Sequence, residues 1–286
     1  MKKGLFFALF LGIAILSSCK GQSQVIFAPK EILVDGDGKG IGNFYIFQYE
    51  LTVGEYKKYL ELSGEQFDFD DWKFYDGPLN KRILGDTSPM ANIDFIQTIT
   101  FANWLSKHNK LKPVYEVTKD RAIIRDKNAN GYRVPTSVEW EWAARGGVNS
   151  KGFVFPGSND LDEVAWNDEG SVEVRLPPVG SKKPNELDLY DMFGSVKEWC
   201  WDPYITVKNK TGVVGEIGYQ SGEEYLYDIP FDERLMDAVK PDNIQRLTRG
   251  LAYVTIRERF SYGEDFSVLP ITGGEYVGIR LIRNAK

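Results

Sequence analysis

Four carboxylates and three large flat rings crowd the stretch from Pro184 to Asp202, PNELDLYDMFGSVKEWCWD. Asp188, Asp191, Glu198 and Asp202 can accept hydrogen bonds, pair with guanidinium groups, or hold a hard cation such as Ca²⁺, which takes carboxylate and carbonyl oxygens. Gly194-Ser195 is a turn signal. Beyond it a strand would place Val196, Glu198 and Cys200 on one face, with Lys197, Trp199 and Trp201 on the other. A Glu among bulky apolar neighbours needs a partner, because an unpaired buried charge is strongly unfavourable. An arginine or a calcium ion would each satisfy it, and spacing alone leaves both open.

Composition narrows the other chemistries. Among 286 residues there are two cysteines, Cys19 and Cys200, and one histidine, His108. A tetrahedral Cys/His zinc site cannot be assembled from these, nor can a disulfide framework. A Ser-His-Asp triad would have to use His108. That residue lies in Ser106-Lys107-His108-Asn109-Lys110, the polar end of a predicted helix, where a cationic side chain complements the terminal carbonyls. The net charge of −6 and the lack of a basic patch give no footing for nucleic acid.

The elements that must position these residues are short. Gly (28) and Pro (13) are plentiful and aromatic residues make up 14% of the chain, which predicts loops and small elements clamped by rings rather than long helices. Asn43 to Glu50 alternates like a strand. Thr52-Val53-Gly54-Glu55 has capping-box spacing and predicts a helix with Val53, Tyr56 and Leu60 inward. Residues 64–90 read as a surface loop. Asp94 caps a second predicted helix with Phe95, Ile99, Ala102 and Leu105 inward, and residues 113–126 read as a hairpin. Asp126 to Gly131 lacks the bidentate Glu of a calcium loop and reads as a turn. Thr136 and Glu139 form a second capping box, ahead of an inward Trp140 and Ala143-Ala144, and Gly146 suits a left-handed helix end.

Residues 1–18 read as a secretion signal. Lys2 and Lys3 precede the apolar run Leu5 to Leu16, which is too short to span a bilayer. The run ends in Leu16-Ser17-Ser18-Cys19, which resembles a bacterial lipobox and implies cleavage before an acylated Cys19. The acyl chains would anchor the protein to a membrane of the cell envelope, facing the periplasm or the exterior. Residues 19–30 would then be a lipidated tether and 31–286 one domain. The stretch 203–245 interleaves Glu216, Glu223, Glu224, Asp228, Asp232 and Glu233 with Tyr219, Tyr225, Tyr227 and Phe231, which suits a basic or peptide partner.

Six blocks resemble the formylglycine-generating enzyme, or sulfatase-modifying factor, family. They are Tyr49 to Tyr56, Asn103 to Ser106, Gly131 to Gly147 (GYRVPTSVEWEWAARGG), Pro178 to Gly180 with Asn185 to Asp202, Arg246 to Tyr253 (RLTRGLAY) and Val277 to Arg283 (VGIRLIR). The resemblance implies an α+β, C-type-lectin-like fold, a single loop-rich domain with little regular structure. In the oxidising members, copper(I) held by two cysteines after the RGGS-type block converts a sulfatase cysteine to formylglycine. Soft thiolates select Cu(I), and here no cysteine follows Cys200.

The corresponding pocket would lie near Ala252, Thr255, Arg257, Glu258 and Phe260. Ala252 stands at the family serine and Lys197 at the family tryptophan, so the resemblance implies a degenerate pocket without copper. The alternative is an oxidoreductase acting on a protein cysteine, or a divergent enzyme using Arg257, Glu258 and Arg259. The resemblance also implies a structural calcium at Asp191, with the carbonyls of Gly194 and Val196 and with Glu198. Ser195 replaces the usual Asn of that motif. A second family calcium site would have Ser171 where a carboxylate is expected.

Overall fold

The computed structural model describes residues 27, 29–69, 85–118, 123–166, 176–203, 205–208, 214–217, 246–252, 267–269 and 276–285. In chain order, β1 (Glu31–Val34) and β2 (Phe44–Phe47) precede helices α1 (Val53–Ser63) and α2 (Phe95–His108). The hairpin of β3 (Tyr115–Val117) and β4 (Ile123–Arg125) leads to α3 (Ser137–Ala144), the short α4 (Leu161–Val164) and β5 (Ala165–Trp166). Next come β6 (Phe193–Gly194), β7 (Lys197–Pro203), β8 (Ile205–Lys208), β9 (Val214–Ile217) and β10 (Arg246–Arg249). Strands β11 (Ser267–Leu269), β12 (Val277–Gly278) and β13 (Ile282–Asn284) complete the described elements.

Each of the three longer helices begins where the sequence prepares it. Thr52 accepts from the Glu55 N–H and the Glu55 carboxylate accepts from the Thr52 N–H. Asp94 with Gln97, and Thr136 with Glu139, repeat the reciprocal arrangement. Such a cap contributes on the order of 1 kcal/mol. Past α3, Gly146 turns the chain in the left-handed region at φ 90°, as expected at that helix end.

Strand β7 is the spine. It pairs antiparallel with β10 and parallel with β12, while β1, β2 and β13 form a second, antiparallel sheet. On one side of β7, Trp199 and Trp201 join a cluster with Phe95, Phe101, Tyr56 and Tyr59 from α1 and α2. On the other, Cys200 lies in a cluster with Trp140, Ala143 and Ala144 from α3 and with Phe44 and Ile46 from β2. The predicted alternation of faces is observed.

Two expectations need correction. The inner face of α1 carries Tyr59 rather than Leu60, which is only partly buried. The Tyr59 ring is drawn in by Phe101 and Trp104, at centroid distances of 5.1 and 4.9 Å. In the stretch read as a surface loop, residues 70–84 lie outside the described residues, but Met90 is fully buried and its N–H donates to the Leu51 carbonyl. An isolated bridge between Thr52 and Pro89 pulls this segment against the start of α1.

Candidate functional site

The chain enters β7 through a tightly wound turn. Asp188, Asp191 and Ser195 all have positive φ, at 64°, 57° and 67°, a conformation that costs a non-glycine residue energy unless its surroundings hold it. Gly194 (φ 74°) is obligatory for a second reason: a Cβ there would lie 2.4 Å from the Trp166 carbonyl oxygen. That close approach permits the short parallel pairing of β5 with β6.

The turn delivers Glu198 into a fully buried position. Its Oε1 accepts from Arg280 Nε at 2.8 Å and its Oε2 from Trp140 Nε1 at 2.5 Å. Arg280 spends its other donors on the carbonyls of Phe47, Gln48 and Tyr190, at 2.8–3.0 Å. The partner that the sequence left open is therefore an arginine. Glu50 is buried beside this pair, its carboxylate accepting from Ser195 Oγ at 2.8 Å and from the Val196 N–H at 3.2 Å. Asp191 Oδ2 accepts from the Gly180 N–H at 2.6 Å.

Three buried carboxylates thus face one guanidinium. Burial pushes the Glu50 carboxyl well above its ordinary range, and the charges of Asp191 and Glu198 push in the same direction. Asp191 is also raised, by burial first. For Glu198 burial again raises the value and outweighs the opposing Arg280 and Trp140 contacts. The surplus of negative charge and the all-oxygen donor set suit a hard cation. The side chains alone do not form its cage, however. Among the described residues no three His, Cys, Asp or Glu side chains converge on a point where a metal could sit. Both Glu198 oxygens already accept hydrogen bonds, so a cation on this turn would lean on Asp191 and on backbone carbonyls.

Of the other predicted positions, Ala252 is buried just beyond β10, 1% exposed. Thr255, Arg257, Glu258, Phe260 and Cys19 lie outside the described residues, as does most of 203–245. Cys200 is fully buried on β7, and burial pushes its thiol well above the usual range. A buried neutral thiol is inert. His108 ends α2, stacks on Trp104 at 4.8 Å and accepts a 3.4 Å hydrogen bond from the Phe27 N–H.

Sequence reasoning missed Arg280 and Trp140 as partners of Glu198, and Glu50 as a further carboxylate buried beside it. The available signal was an arginine inside the apolar block VGIRLIR, which is as anomalous as a Glu inside VKEWCW.

A family model, the sulfatase-modifying factor enzyme 1-like domain, matches residues 37–285. The chain belongs to this family. The family resemblance extends to a chaperone protein LppX of Paenibacillus barcinonensis, 31% identical over 244 residues, covering 71% of this chain and 81% of that one. The formylglycine-generating enzyme of Bos taurus is 26% identical over 209 residues, covering 64% of this chain and 55% of the enzyme. This chain therefore matches little more than half of the bovine enzyme's length. In three dimensions the crystal structure of CarF superposes with a TM-score of 0.65 at 24% identity, over 91% of this chain and all of CarF. That likeness shows the family's fold, a single α+β domain.

Proposed function

We propose that this family member is a bacterial cell-envelope lipoprotein, anchored through acyl chains on Cys19, whose domain is a binding or structural component rather than a copper oxidase. One observation carries the reading: the chain has two cysteines, and the one left after lipidation, Cys200, lies buried on β7 ahead of the position where a thiolate pair would be needed. Cu(I) chemistry rests on soft thiolate ligands, and copper does not fit the residues present. Ala252 in place of a serine and Lys197 in place of a tryptophan support the same conclusion.

No helix among the described residues is long and apolar enough to cross a membrane, which is compatible with attachment by lipid. The chaperone name of the Paenibacillus relative favours a protein client as the partner. The acidic, tyrosine-rich stretch 203–245 is the segment suited to a basic or peptide surface. Calcium would be held on the turn before β7 by Asp191 with the carbonyls of Gly194 and Val196, while Glu198 stays with Arg280.

Aerobic incubation with Cu(I) and a sulfatase-motif peptide is expected to give no formylglycine. Appreciable aldehyde would restore the oxidoreductase reading. Cross-linking in envelope fractions, followed by purification, should recover a reproducible protein partner, and the recovery should fall when 216–233 is neutralised. Titration of calcium into EDTA-treated protein should show saturable binding lost in Asp191→Ala. Absence of heat and of any thermal shift would remove the calcium assignment without touching the rest.

A further inference from the structure

Four arginines of the described chain are buried, and three have carboxylate partners: Arg133 with Glu139, Arg249 with Glu141, and Arg280 with Glu198. The fourth, Arg246 on β10, is 2% exposed and has none, and Arg125, on β4, is half-buried. Among the described residues neither makes an ion pair, and the Nε–H of each is buried without an acceptor. Among the described residues the Arg246 side chain makes one hydrogen bond, donating from Nη1 to the Trp201 carbonyl.

Aromatic rings surround the two cations. The Arg246 guanidinium carbon stands 4.2 Å from the Phe95 ring centroid and 4.4 Å from that of Trp201. The Arg125 guanidinium lies 5.3 Å from the same Trp201 ring. Tyr115 stacks on Trp201 at 5.3 Å with 24° between planes. The neighbouring carboxylate, Asp202, already accepts from the Ser137 N–H at 2.5 Å. Ring faces stabilise a guanidinium without taking its N–H groups, so the donors remain to be satisfied. Burial pushes Arg246 down to about 10 against the opposing pull of Tyr115 and Asp202, and the charge of Arg125 pushes in the same direction as burial.

The geometry points to a carboxylate-binding site between Arg125 and Arg246, walled by Trp201, Phe95 and Tyr115. Among the described residues, two guanidiniums and one Asp leave a single positive charge, which a monoanionic carboxylate cancels. A phosphate dianion would overshoot it. The planar guanidinium fork is matched to a carboxylate's two oxygens, and each orphaned Nε–H gains an acceptor. The half-buried Arg125 is the solvent side of the site. The group could belong to a free small acid or to a glutamyl side chain of a peptide, and a test can distinguish them. The site is independent of the copper and lipid readings.

The experiment is calorimetric titration of the full-length protein at pH 7 and constant ionic strength, with acetate and with a capped peptide containing one glutamate. Saturable binding in the millimolar range or tighter is expected, with an upward shift in melting temperature. A free acid gives comparable binding by both probes, and a peptide site favours the glutamyl peptide. Arg125→Gln should weaken binding by about tenfold or more, the loss expected when hydrogen bonds to a charged group are removed. Arg125→Lys, which keeps the charge but not the fork, should also weaken it. Lys57→Gln, in an exposed ion pair, should bind as wild type does. No saturable heat with either probe would overturn the proposal. So would undiminished binding in Arg125→Gln with a native circular-dichroism spectrum, or inorganic phosphate binding more tightly than either carboxylate.

Discussion

The two faces of β7 bury charge in opposite ways. On the Glu198 face, carboxylates outnumber cations, and every group of the Glu198–Arg280–Trp140 set has a hydrogen-bond partner. On the Trp201 face, among the described residues, cations outnumber carboxylates, and rings stand where ion-pair partners would. A buried ion pair with complete hydrogen bonding is strongly coupled: removing one member strands the other at several kcal/mol. A cation on a ring is held by about 0.5–2 kcal/mol and keeps its donors. The first arrangement specifies a packing. The second leaves binding capacity.

That contrast can be broken at several points. Arg280→Met should have the largest effect, a loss of about 3–5 kcal/mol in urea unfolding, because buried Glu198 would lose its guanidinium and the Phe47, Gln48 and Tyr190 carbonyls their donor. A loss below about 1 kcal/mol would mean that the ion pair is not what holds this face. Trp140→Phe removes both the N–H to Glu198 Oε2 and part of the buried indole, and should cost at least about 1–3 kcal/mol by the same assay.

The surplus of carboxylate makes a third, pH-dependent test. The folded-state value of Glu50 lies well above the ordinary 4.5, so the folded protein holds a proton that the unfolded chain releases. The stability this contributes is complete below about 4.5 and is lost as pH rises through the raised value. In calcium-free buffer, Glu50→Gln should therefore gain stability over wild type with increasing pH and lose that advantage near pH 4.5. An advantage unchanged between pH 5 and 8 would show that Glu50 is not protonated on folding. Glu139 titrates oppositely, being held low against the effect of its burial by Arg133, and comparison of this single variant cancels its contribution.

Thr136→Ala removes the cap of the helix that carries Trp140 and should cost about 1 kcal/mol. The smallest effect belongs to the surface. Lys57→Ala breaks an ion pair whose side chains are 50% and 72% exposed, and should change stability by less than about 0.5 kcal/mol in chemical unfolding. A larger loss there would undercut the assignment of stability to the buried pairs.

Local rules were legible because their causes are local. A capping box needs residues three apart, and Thr52–Glu55 and Thr136–Glu139 formed as spaced. The hairpin at 115–125 formed within its predicted span. The turn at Asp126 formed too, its carboxylate accepting from the Asn128 N–H and from Lys112. Where two apolar positions competed for the core, as with Tyr59 and Leu60, periodicity could not choose. The decision came from Phe101 and Trp104 on another helix.

The amino-acid order alone dictated that Glu198 and Trp201 point to opposite sides of one strand, since successive side chains on an extended backbone must alternate. It also dictated how much sulfur is available for metal chemistry, because a count of thiols does not depend on folding. Which groups meet those side chains was settled only by the tertiary structure. Arg280 reaches Glu198 across 82 residues, and β4, β7 and β10 bring Arg125, Trp201 and Arg246 together. No spacing rule spans such separations. Buried charge selects its partners by proximity in space, and that proximity exists only after the strands have packed.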